Sequence, residues 1–148
     1  ATDQIHKEGI YLSVDVFGEC SSEYVTAYGQ YWPAISNIVD AIRSMPYTDH
    51  FGRSVDTWTN AYQTVNNWAK GASARQKEIP TPAVARTWIT AYDTPYWNPK
   101  VIYNAGKIED QVRALYDAGL DGGFITWNSA SSLAKYEQIK SAFAKNYG

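Results

Sequence analysis

Ile10-Tyr11-Leu12-Ser13-Val14-Asp15-Val16-Phe17, closed by Gly18, is the stretch on which the fold turns. It is rich in β-branched and aromatic residues and apolar on both faces until near its end. That pattern suits a parallel strand covered on both sides. Parallel neighbours need crossover connections, and helices supply them. Downstream, Gln30 to Ile38 reads as a short helix, provided Pro33 falls in its first turn. A second strand runs from about Ala41 to Met45, interrupted in character by Arg43 and Ser44, and Pro46-Tyr47-Thr48-Asp49-His50-Phe51-Gly52 closes it. Trp58, Ala61, Tyr62, Val65, Trp68, Ala69 and Ala72 then recur at spacings of three and four. They form one apolar helical stripe, with Ser54 or Asp56 as the cap.

Pro80 and Pro82 mark a loop. Ala83 to Ala91 reads as the third strand, followed by a loop from Tyr92 to Pro99. Lys107 to Ala118 is helical, with Ile108, Val112, Leu115 and Tyr116 inward and Gly119 as the stop. Gly122-Gly123 turns the chain into a fourth strand, Phe124 to Trp127. Leu133, Tyr136, Ile139, Lys140 and Phe143 mark a last helix starting from Ser131 or Ser132. The order β-α-β-α-β-α-β-α defines an α/β fold. Four units in 148 residues average 37 each, against about 31 in a (β/α)8 barrel of about 250 residues. The expectation is one domain, 1–148, of TIM-barrel type, contributing four β/α units. A doubly wound open sheet is the alternative, although no Gly-rich phosphate loop follows the first strand.

Composition removes several functions. The chain carries 13 Lys+Arg and 15 Asp+Glu, a net charge of −2, and is 45% hydrophobic. That is too apolar for a disordered polymer. It has no basic clusters for nucleic acid or an anionic membrane, and no apolar run of the roughly 18–20 residues that spans a bilayer. Cys20 alone makes no intrachain disulfide, and two histidines with one cysteine do not build a zinc cage. No GxSxG, P-loop, HExxH or CxxC motif occurs. No metal and no cofactor is expected. Aromatics reach 15%, with six Trp and twelve Tyr against four Phe. Rings with polar tips suit either packing between helices and strands or a cleft that stacks on sugar rings.

In parallel α/β folds, functional residues gather where strands end and βα loops begin. Those positions hold Asp15 and Glu19, then Tyr47, Asp49 and His50, then Trp88, Thr90, Tyr92 and Asp93, then Trp127 and Asn128. Glycoside hydrolysis needs one carboxyl to protonate the leaving oxygen and another to act as nucleophile or base. Asp15, His50 and Asp93 are the catalytic candidates. Tyr47, Trp88, Tyr92, Trp127 and Asn128 are the substrate-binding ones. Plainer readings stand beside them. Asp15 sits in an apolar strand and calls for a partner such as Arg43 or Arg86. His50 also reads as a loop hydrogen-bonder, and Asp49, Asp93 and Glu19 read as solvated loop charges. Trp88 and Trp127 suit packing as well as stacking, while Trp58 and Trp68 are packing residues.

Five segments in register carry a resemblance. Val14-Asp15-Val16-Phe17-Gly18, Gly29-Gln30, Met45-Pro46-Tyr47-Thr48-Asp49-His50-Phe51, Arg86-Thr87-Trp88 and Gly122-Gly123-Phe124-Ile125-Thr126-Trp127-Asn128 match in order the motifs (A)DVFG, GQ, MVYPSHY, RPW and DGWxLWN. Over roughly Ile10 to Asn128 the chain resembles the C-terminal half of a bacterial family of glycoside-hydrolase-like domains of unknown function, related to the α-amylase-like barrels. The resemblance implies a (β/α)8 barrel, a polysaccharide or oligosaccharide substrate and a secreted or cell-envelope location. A non-catalytic carbohydrate-binding module on the same barrel is the rival. The family's first-half strand, similar to FDYVRFP, has no counterpart here. Thr87 replaces the proline of RPW, Ala91 stands at the acidic position shortly after it, with Asp93 two residues on, and Arg43-Ser44 replaces a serine-proline pair. Half a barrel leaves strand edges and an apolar face bare. The expected partners are therefore the N-terminal half of the barrel, as a separate chain or a missing segment, or a second copy.

Overall fold

The computed structural model describes residues 1–51, 54–94, 98 and 100–147. In chain order its elements are α1 (Thr2–Lys7), β1 (Ser13–Phe17), a 3-10 turn over Gly18–Ser21, α2 (Trp32–Ser36), β2 (Ala41–Met45), α3 (Val55–Thr59), α4 (Ala61–Gln76), β3 (Val84–Ala85), β4 (Thr87–Thr90), α5 (Ala105–Asp117), β5 (Phe124–Trp127), α6 (Leu133–Ile139) and a closing 3-10 turn over Lys140–Ala144. Every ladder is parallel. β1 pairs with β2, placing Asp15 opposite Arg43, β2 pairs with β3, and β4 pairs with β5, placing Thr90 opposite Trp127. The strand expected over Ala83–Ala91 is therefore broken at Arg86, one part laddering with β2 and the other with β5. The Arg86 amide still donates to the Ile42 carbonyl at 3.0 Å, which keeps the two parts in line. The strands form two parallel sheets, β1-β2-β3 and β4-β5, and β1 and β5 each ladder with a single neighbour.

Among the described residues, the helices pack against one face of these strands. Val16, Ile42, Ala85 and Ile89 join Val65, Trp68 and Ala72 of α4 and Ile108, Val112 and Leu115 of α5 in the main core. On the other face Phe17 keeps 49% and Trp127 45% of their surface exposed, with Asp15 and Arg43 beside them. The expectation of a first strand covered on both sides is thus corrected. Val16 faces helices while Ser13, Asp15 and Phe17 are exposed. The strand is also shorter than expected. Ile10 and Tyr11 lie outside the ladder and are exposed, because β2 begins where the Leu12 carbonyl accepts the Asp40 and Ala41 amides. Asp40 accepts the Leu12 amide at 2.7 Å and the His6 ring at 2.8 Å. Those two bonds hold its carboxyl below the usual range and tie down α1, a helix the sequence did not announce.

Pro33 lies in the first turn of α2, as a helix there requires. The long apolar stripe divides into two helices at Asn60, whose backbone leaves the helical region. Ser54 is the cap of the first, and the Thr64 hydroxyl donates to the Thr57 carbonyl across the break. Trp58 consequently leaves the α4 stripe and packs with Ala61 and Tyr103 in a smaller cluster. Asn104 caps α5 by accepting the Lys107 amide at 3.1 Å, and Gly119 stops it in the left-handed region, φ 82°. Ser132 caps α6. Leu133 and Tyr136 are exposed rather than inward, since α6 docks through Ile139 and the turn that follows it through Ala142 and Phe143.

The approach to β5 has no room for a side chain. A Cβ on Gly122 would sit 2.4 Å from the Ala85 carbonyl oxygen and 2.8 Å from Val84 Cγ1. Gly122→Ala is expected to cost about 1–3 kcal/mol through overpacking against backbone, read as a lowered denaturation midpoint. An unchanged midpoint would show that this turn does not depend on its contact with β3.

Candidate functional site

Because the strands are parallel, their carboxyl ends and the loops leaving them share one side of the sheet. Asp15, on the exposed face of β1, is held from β2 and β4. The Trp88 indole donates to its Oδ1 at 2.8 Å and Arg43 Nη2 donates to its Oδ2 at 3.2 Å. Arg43 Nε lies 3.1 Å from Oδ1, off the axis a hydrogen bond needs. Of the two arginines expected as partners, Arg43 is the one that pairs; Arg86 Nε donates to the Gly122 carbonyl at 3.2 Å. Trp88 meets Trp127 edge to face, centroids 6.0 Å apart. A carboxylate and two indoles thus occupy one open face.

The segment after β2 adds a second group. Tyr47 is 8% exposed, and its ring meets His50 and Tyr92 edge-on at 5.6 and 6.3 Å. Its hydroxyl makes no hydrogen bond among the described residues. Burial, and then the charges of Asp15 and Asp49, push this phenol up to about 12. Thr48 anchors the segment, its amide donating to Thr90 Oγ1 at 3.1 Å and its hydroxyl meeting Tyr103 Oη at 2.7 Å. Asp49 Oδ1 accepts the Tyr92 hydroxyl at 2.8 Å and lies 3.7 Å from His50 Nε2, with only 12% of the side chain exposed. Burial and the Asp49 bond drive the Tyr92 phenol far above its ordinary range. The reading of Asp49 as a solvated charge is corrected here: the Pro46-Tyr47-Thr48 run that carries it is itself buried.

Asp93, Asn128 and Glu19 are each hydrogen-bonded within the scaffold. Asp93 Oδ1 accepts the Tyr103 amide at 2.9 Å and Lys135 Nζ at 2.6 Å, clamping its loop to α6, so the reading as a solvated charge is corrected for Asp93 too. Asn128 donates to the Ser132 carbonyl at 2.9 Å, closing the turn before α6. Glu19 accepts the Tyr28 hydroxyl at 3.1 Å. His50 is exposed at the rim. Cys20 is buried and its thiol is pushed up to about 11 by that burial, the reverse of an activated nucleophile. Gly52 and, in the loop after Tyr92, residues 95–97 and 99 lie outside the described residues. Among the described residues no cluster of three or more His, Cys, Asp or Glu could hold a metal ion, and no helix is long and apolar enough to cross a membrane.

A family model described as "Putative glycosyl hydrolase domain" matches residues 1–133. The curated proteins and the solved structures contain no match.

Proposed function

The chain belongs to this glycosyl hydrolase domain family, and on that premise we propose that it is part of a (β/α)8 barrel that hydrolyses glycosidic bonds of a polysaccharide or oligosaccharide. The observation that carries the reading is the exposed sheet face, where Asp15 lies beside Trp88 and Trp127. In a closed barrel that face would be the interior and its upper end the active-site mouth. β1 and β5, each laddered on one side alone among the described residues, would take the remaining strands, supplied by the N-terminal half of the barrel. Trp88 and Trp127 would stack on pyranose C–H faces, and the Tyr47 hydroxyl and His50 would meet sugar hydroxyls. Asp15 would act on the charge that develops at the anomeric carbon.

A carbohydrate-binding module without catalysis is the second reading. What favours it is the engagement of Asp93 and Asn128 by Lys135 and Ser132. The test is reducing-end release from soluble glycans by the full-length protein or by this chain complemented with its barrel half. We expect release together with binding. Saturable glycan binding with no release would establish the module instead, and a closed dimer of this chain alone would replace the N-terminal half as partner.

A further inference from the structure

We propose that Asp49 is the proton-carrying carboxyl of the site, oriented by Tyr92, with Asp15 as the charge-bearing carboxylate. This rests on the hydrolase reading and completes the pair such chemistry requires. The division of roles follows from the hydrogen-bond partners. Both oxygens of Asp15 accept from groups that can only donate, an indole N–H and a guanidinium. A proton on either oxygen would cancel the negative charge that both donors, one of them a cation, are bonded to. Asp49 is arranged differently. One oxygen accepts from the Tyr92 hydroxyl, a group that can also accept after rotation about its C–O bond. The other oxygen takes no hydrogen bond from the described residues. Asp49 can therefore hold or lose a proton without losing its tether.

The side chain is also enclosed as a proton carrier should be. Tyr47 packs edge-on against Tyr92, Tyr92 packs against Trp58, and the Tyr47 phenol feels both Asp15 and Asp49. The two carboxylates thus act on one aromatic group, Asp15 from β1 and Asp49 from the turn after β2. In the reaction, the glycosidic C–O bond breaks with its electron pair going to the leaving oxygen, which takes the proton of Asp49. Water then adds to the anomeric carbon and gives one proton back to Asp49. Asp15 opposes the positive charge between these steps.

The test uses the full-length protein on paired nitrophenyl and dinitrophenyl glycosides, the second carrying a leaving group that needs no proton. In the first turnover, Asp49→Asn is expected to slow release of nitrophenolate by roughly a hundredfold or more and release of dinitrophenolate far less. Azide, a nucleophile that needs no base, should speed the variant and not the wild type. Asparagine keeps an oxygen for Tyr92. If that variant fails to fold, Tyr92→Phe is the second probe, with a lower kcat and unchanged KM expected. Equal slowing of first-turnover release from both substrates, or none, overturns the role of Asp49, as does an unchanged kcat in Tyr92→Phe. A wild-type protein that cleaves neither glycosides nor glycans overturns the hydrolase reading itself, a result distinguishable from loss of Asp49's role alone.

Discussion

Asp15→Asn is expected to reduce glycan turnover by roughly 10²–10⁴-fold, the range set by removal of a positioned acid–base or charge-stabilising carboxylate. The competing explanation is that Asp15 only ties β1 to β2 and β4. Its ion pair with Arg43 leaves 30% of the Arg43 and 43% of the Asp15 side chain exposed, and a pair so open to water contributes about 0–1 kcal/mol. Stability alone gives little reason for a carboxylate there. Asparagine would place an N–H₂ group or a poorer acceptor against two donor-only partners, so some loosening of Trp88 and Arg43 is expected as well. The double variant Asp15→Asn, Arg43→Gln separates the effects. An amide pair can restore a hydrogen bond between β1 and β2, so the melting temperature should recover while turnover stays low. Recovery of turnover along with stability would make Asp15 a structural tie and remove it from the mechanism.

The parallel α/β order was legible because it rests on period and punctuation: β2 and β5 appear at their expected limits, and Pro33, Gly119 and Ser132 do what those residue types do locally. What escaped depends on partners distant in sequence. The break at Arg86 follows from which neighbour each half of the strand pairs with, and α1 is held by Asp40, thirty-four residues from His6. Leu133 and Tyr136 carry the right spacing for an inward stripe, but nothing in the sequence tells which side of α6 meets the core. At the site, Asp15 and the two tryptophans could be placed on one side from strand-end logic. Asp49 could not be told from Asp93, since both are acidic residues in loops after strands. The distinction arises from Tyr92 on the one and Lys135 on the other.

Gln111→Leu is expected to cost about 2–6 kcal/mol and to disturb the site without touching it. Successive residues of a strand send their backbone groups to opposite edges. The Ala91 amide reaches the Trp127 carbonyl on the β5 side at 3.0 Å, so Thr90 faces the β2 side. There the β2–β3 ladder has already ended, at Ile42 and Ala85. The side-chain amide of Gln111, fully buried on α5, takes the place of the missing strand. Its Oε1 accepts the Thr90 amide and its Nε2 donates to the Thr90 carbonyl, both at 2.9 Å. Leucine fills a similar volume and leaves two buried backbone groups unpaired, each worth about 1–3 kcal/mol. Thr90 Oγ1 in turn receives the Thr48 amide, so a loosened Thr90 frees the segment carrying Tyr47 and Asp49. The measurement is a denaturation midpoint together with hydrogen exchange at the Thr48 and Thr90 amides. Both amides should exchange faster in the variant. Native protection at Thr48 with a lowered midpoint would confine the effect to the core, and an unchanged midpoint would mean that water replaces the glutamine at no cost.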